Sequence, residues 1–312
     1  LQVTAAGLAH AGLALEQRFD IQRDRRYGIV DVVRDAAGHL PQRAQAFLLH
    51  HRLLRQAQIV VGPLQCLVGF GLGAGVAPGG IKYLENNGPI SCTVHTEGFI
   101  PVDHDVRVTI YKDLDRVDIE DRITQNFSSS LDWAFGVQLG LPVVRHEELG
   151  AILKAKLSSA GGHYADQNAR YDHLTVGHFA DISNSQYGLT VSVSGPAFLT
   201  IGNSTVSSLD DGSNQLRFTA GGNFQGSGPG ITGQNGDALF NYGFSLRPHN
   251  SVYDPVNAMR GALEHQNPFV TAVCTGTDGP YPATTFSAFS FSDPDVLLFA
   301  LKPAEEGIGS GV

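Results

Sequence analysis

The stretch HDVRVTIYKDLDRVDIEDRITQNF, residues 104–127, decides the fold class. Val106, Val108 and Ile110 fall on alternate positions, and Val117, Ile119 and Ile123 share a second phase. Successive side chains of a strand leave opposite faces, so this period predicts two strands, each with one apolar face. The segment Lys112–Asp115 lies between them and predicts the turn of an antiparallel hairpin. Runs of strand length continue along the chain: WAFGVQLGL (133–141), AILKAKL (151–157), YGLTVSVS (187–194), AFLTIG (197–202), NQLRFTAG (214–221), ALFNYGFSLRP (238–248), TTFSAFSF (284–291) and VLLFALKP (296–303). Upstream, residues 15–35 predict a further hairpin turning at RDRRYG.

Helical signals are fewer. Residues 44–58, AQAFLLHHRLLRQAQ, have helical spacing and no breaker, which predicts a short helix. A second begins at Asp254, a capping residue followed by Pro255 at the first helical position, with Val256, Met259 and Leu263 on one face. The uncharged run from Gln56 to Ile81 has glycine at 69, 71, 73 and 75, which suits a close-packed strand or loop and not a membrane span. The sum predicts an all-β chain, a large antiparallel β-sandwich with one or two short helices. No linker or repeat divides it, so residues 1–312 are expected to form a single domain.

Composition narrows the function. Charged residues are only 16% of the chain, against about 25% in an average globular protein. The 21 basic and 30 acidic residues give a net charge of −9 without a basic stripe, which argues against a nucleic-acid partner. Cys66, Cys92 and Cys274 show no metal or redox spacing and are expected to be small buried hydrophobes. The acidic pairs Asp113/Asp115, Asp118/Glu120/Asp121, Glu147/Glu148, Asp210/Asp211 and Glu305/Glu306 fall in turns or on polar strand faces, so they are expected to be solvated. The histidines lack H-x-D or H-x-x-x-H spacing, so no metal and no cofactor is expected in this chain. No G-x-S-x-G elbow is present, and no catalytic residue is assigned.

The richest polar and aromatic segment is GGHYADQNARYDHLTVGHFAD, residues 161–181. Rings that cover apolar sugar faces, mixed with groups that fix hydroxyls, make up carbohydrate sites. Tyr164, Asn168, Arg170, Tyr171 and His178 are therefore the expected substrate-binding residues.

That segment also carries a family resemblance. NARYDHLTVGHFADIS (168–183) with YGLTV (187–191) resembles a stretch of the C-terminal β-domain of family 38 glycoside hydrolases, the zinc-dependent α-mannosidases. LEQRFDIQRDRRYGIVDVVRD (15–35), NNGPISCTVHTEG (86–98), IYKDLDRVDIEDRI (110–123), FNYGFSLRPHN (240–250) and DPDVLLFALKPAEEGIGSGV (293–312) are similar to further segments, in the family's order. The resemblance implies a β-supersandwich shared with galactose mutarotases. It also implies a separate catalytic domain that supplies zinc and the nucleophile, whose motifs this chain lacks. The expected role is a non-catalytic module of an α-mannosidase-like hydrolase that packs on the catalytic domain and helps bind a mannose-containing glycan. The alternative is an autonomous carbohydrate-binding or mutarotase-like protein, in which His178 with Glu148 or Glu264 would exchange protons across a sugar ring.

Overall fold

The computed structural model describes residues 49–50, 56–61, 64–70, 82–98, 102–128, 130–221, 236–250, 252–270, 279 and 285–301. The strands are β1 (Leu49–His50), β2 (Gln56–Val61), β3 (Leu64–Phe70), β4 (Lys82–Asn87), β5 (Ser91–Gly98), β6 (His104–Tyr111), β7 (Val117–Ile123) and β8 (Leu131–Val137). They continue with β9 (Val143–Glu148), β10 (Ala151–Lys154), β11 (Leu174–Thr175), β12 (Phe179–Ser183), β13 (Gly188–Ser194), β14 (Phe198–Ile201), β15 (Gln215–Gly221) and β16 (Phe240–His249). Among the described residues, a nine-stranded sheet runs β10-β9-β12-β13-β16-β7-β6-β5-β4, and a seven-stranded sheet runs β1-β2-β3-β8-β15-β14-β11. Every strand pair in both sheets is antiparallel.

The hairpin forms as its sequence predicts. β6 and β7 pair from His104–Ile123 to Ile110–Val117, leaving Lys112–Asp115 as the turn. Val106, Val108, Ile110, Val117, Ile119 and Ile123 are all buried in the core between the sheets. The centre of that core is aromatic. Phe135 and Phe218 of the smaller sheet meet Phe244 of the larger, with ring centroids 5.0 Å (Phe135–Phe244) and 5.7 Å (Phe218–Phe244) apart. Tilted and edge contacts of this kind stabilise beyond the area they bury.

One α-helix stands among the described residues, α1 (Pro255–Gln266). Asp254 caps it, its Oδ1 accepting from the Val256 and Asn257 amides at 3.0 and 3.1 Å. The helix lies on the face of the nine-stranded sheet away from the sandwich core, where Ala258, Met259 and Ala262 pack on Phe179. Small residues dominate that contact, and Val256 and Leu263 are only half-buried. Asp254→Ala is expected to cost about 1 kcal/mol, read as a lower denaturant midpoint with an unchanged slope. No helix of the described residues is long and apolar enough to cross a membrane.

Three sequence expectations change. Within the segment expected as a helix, 44–58, the described residues 49–50 and 56–58 are strand, in β1 and the start of β2, so α1 is the one α-helix described. Helical spacing over so short an apolar run does not exclude a strand, and here pairing with β3 decides. The strands expected at 284–291 and 296–303 are absent from 285–301, where Phe286, Phe289, Phe291, Val296, Leu298, Phe299 and Leu301 remain exposed. Strand propensity needs a ladder partner to be realised. The hairpin expected over 15–35 and glycines 71, 73 and 75 lie outside the described residues, as does Cys274. Cys92 is buried and free.

Candidate functional site

The loop between β10 and β11 is built by local hydrogen bonds. A single 3-10 turn, Ser158–Ala160, opens it. Asp166 folds back on this turn, accepting from both the Ser158 and Ser159 hydroxyls, and those bonds hold its exposed carboxyl below the usual carboxylate range. Gly162 passes so close to Lys156 that a Cβ would fall 2.0 Å from that residue's carbonyl oxygen. Asn168 takes the left-handed conformation at φ 61°. Such geometry suits Asn better than most residues.

The five expected contacts divide. Asn168 and Arg170 are exposed on the loop. Arg170 grips Asp172 with two bonds, Nε–Oδ1 at 2.6 Å and Nη2–Oδ2 at 3.0 Å, while half of its side chain stays open to solvent. Partial burial alone would raise the Asp172 carboxyl, but its bonds to Arg170 and His173 hold it below the usual range. Tyr171 is only 3% exposed, and its hydroxyl donates to the Ala165 carbonyl at 2.6 Å. That ring fastens the loop and presents no face to a sugar. Tyr164 is half-buried beside it, with ring centroids 6.4 Å apart.

Strand β9 separates the remaining two. His146 and Glu147 are neighbours on that strand, so their side chains leave opposite faces. On the core side, the Tyr164 hydroxyl meets His146 Nε2 at 2.8 Å. On the helix side, His178 Nδ1 lies 2.7 Å from Glu147 Oε2, which also accepts from the His178 amide at 2.8 Å. Tyr164 and His178 therefore do not share one pocket.

Glu147 is the residue that sequence reasoning missed. Taken as a solvated acid, it is fully buried, and its second oxygen accepts from the Gly150 amide. Asp121 and Asp181 are buried too, at 2% and 0% exposure. A carboxylate with this many donors aligns the imidazole, and the His178 and Phe299 ring centroids lie 5.2 Å apart. Oriented in this way, a histidine can exchange a proton with a bound hydroxyl. No local signal marks Glu147: His146 and Glu147 are buried in succession, against the simple alternation of a strand with one solvent face.

A groove of about 720 Å³ opens farther along the same face of the sheet. It runs between the β6–β7 turn, Arg247 and His249 of β16, and Arg260 and Glu264 of α1. None of the five expected residues lines it. Its charges largely satisfy one another: Arg247 binds Glu264 at 2.6 Å, and His249 binds the buried Asp181 at 2.9 Å.

The architecture defines an all-β chain of two facing antiparallel sheets. Among solved structures it is similar to an α-mannosidase from Enterococcus faecalis V583, with TM-score 0.51 and 11% identity over 72% of this chain and 30% of that one. A glycosyl hydrolase family 38 protein from Enterococcus faecalis aligns with TM-score 0.49 and 10% identity, over 65% of this chain and 26% of its own. A GalM/aldose epimerase homologue from C. elegans aligns with TM-score 0.32 and 12% identity, over 55% of this chain and 69% of its own. The likeness to the mannosidase is one of fold, and the chain spans about 30% of that enzyme's length. No protein-family profile and no curated protein matches the chain.

Proposed function

We propose that this chain is the β-sandwich module of an α-mannosidase-like glycoside hydrolase, non-catalytic on its own, which packs on a catalytic domain and helps bind a mannose-containing glycan. The observation that carries this reading is the sandwich shared with the Enterococcus faecalis α-mannosidase over 72% of the chain. The exposed apolar side chains of 286–301 are consistent with a surface that another domain covers. Within the loop, Arg170 and Asn168 are the contacts offered to the glycan, with Tyr171 holding the loop in shape.

The test is made in the enzyme that contains this module. Arg170→Ala is expected to lower kcat/KM for an α-mannoside at least tenfold, about 1.4 kcal/mol of transition-state stabilisation, with the melting temperature unchanged. Unchanged kinetics would remove the loop from the site. The isolated chain is expected not to hydrolyse aryl α-mannosides.

A second reading, an autonomous carbohydrate-binding or mutarotase-like protein, is favoured by the Glu147–His178 pair and the neighbouring groove. Saturable sugar binding by the isolated chain that is lost in His178→Gln would establish it over the first.

A further inference from the structure

We propose that His95, Glu97 and Asp105 form a binding site for a divalent first-row transition metal, Zn²⁺ or Mn²⁺, on the face of the nine-stranded sheet opposite the sandwich core. His95 and Glu97 are two apart on β5, so both side chains leave the same face. Asp105 is the cross-strand partner of Glu97 on β6, and Arg107 that of His95. The pairing thus brings a nitrogen and two carboxylates together, and their ligand atoms lie within 4.8 Å of one another.

The side chains are also oriented for it. His95 is 4% exposed, and the Tyr83 hydroxyl meets its Nδ1 while Nε2 faces Asp105 Oδ1. Metal-bound histidines are commonly fixed in this manner, through an outer partner on the second ring nitrogen. Glu97 has no hydrogen-bond or ion-pair partner among the described residues. Two carboxylates in register on adjacent strands repel one another, and a cation between them reverses that term.

The donor set selects the metal. An imidazole with two carboxylates suits Zn²⁺ or Mn²⁺, whereas Mg²⁺ and Ca²⁺ favour oxygen alone. Three protein ligands leave a coordination position for water, the open type of site. Zinc–ligand distances of about 2.0–2.2 Å are those such a donor set takes. Histidine spacing alone predicts no metal in this chain. The third ligand comes from ten residues away, through strand register.

The test is a calorimetric titration of EDTA-stripped protein with ZnCl₂, and separately with MnCl₂ and MgCl₂. One Zn²⁺ or Mn²⁺ per chain is expected, with no uptake of Mg²⁺ at the same concentrations. Glu97→Gln and Asp105→Asn keep side-chain size at partly buried positions, and each is expected to weaken binding at least tenfold while the metal-free melting temperature stays within a few degrees. Absence of stoichiometric uptake, or uptake undiminished in either variant, would overturn the site.

Discussion

Asp121→Ala is expected to lower the unfolding free energy by about 3–5 kcal/mol, the cost of leaving one member of a buried polar pair without its partner. Asp121 belongs to the apolar phase of β7, between Ile119 and Ile123, and points into the sandwich core. Its Oδ1 lies 3.1 Å from His104 Nδ1, and the two side chains are 1% and 3% exposed. Burial raises the Asp121 carboxyl, while the bond to His104 opposes that shift. Alanine would leave the imidazole among Trp133 and its apolar neighbours with nothing to bond. Replacing both members, as in Asp121→Leu with His104→Phe, is expected to recover most of the loss, because the unpaired group disappears with its partner. Urea unfolding of the single and double variants measures both. A cost below about 1 kcal/mol for the single change would show that water or rearrangement satisfies His104.

The second large effect is on pH dependence. His146 is fully buried, and burial pushes its imidazole down to about 4, against the weaker upward pull of the Glu147 charge. An unfolded histidine titrates near 6.5. Between those values the unfolded chain takes up a proton that the folded chain refuses, so stability falls as pH falls from about 6.5 to about 4, and is unaffected by this group above that window. The contribution reaches about 3 kcal/mol at the acid end. His265, also lowered by burial, acts with the same sign. Denaturant midpoints at several pH values would show this as a slope that flattens in His146→Gln, which retains a partner for the Tyr164 hydroxyl. Parallel profiles in the two proteins would mean that His146 does not carry the effect.

The hairpin of β6 and β7 was legible because nothing but strand alternation places three valines and three isoleucines on two matched phases. The helix after Asp254 was legible because its cap and its proline are local signals. The buried acids were harder. Asp121 announced itself, standing in phase with Val117, Ile119 and Ile123, yet an acid in an acidic run reads as solvated. Glu147 is buried against the His178 segment, which lies 31 residues further along the chain. Tyr171 illustrates a related point: a tyrosine in a polar loop reads as a ligand platform, and the sequence does not show that the loop closes around it. The exposed phenylalanines of 286–291 show the converse, apolar alternation that does not become a strand among the described residues.

The position of β16 in the larger sheet bears on how the chain folds. The run β4-β5-β6-β7 is a local meander within residues 82–123, and β9, β10, β12 and β13 associate within 143–194. Only β16, at 240–249, joins these halves, pairing with β7 on one side and β13 on the other. During synthesis the two half-sheets must therefore wait, each with an open edge, until the chain beyond residue 239 has emerged. Contacts that close so late between distant segments slow folding and expose unpaired strands meanwhile. Among the described strands, the one latest in the chain is the one on which the larger sheet depends for its continuity.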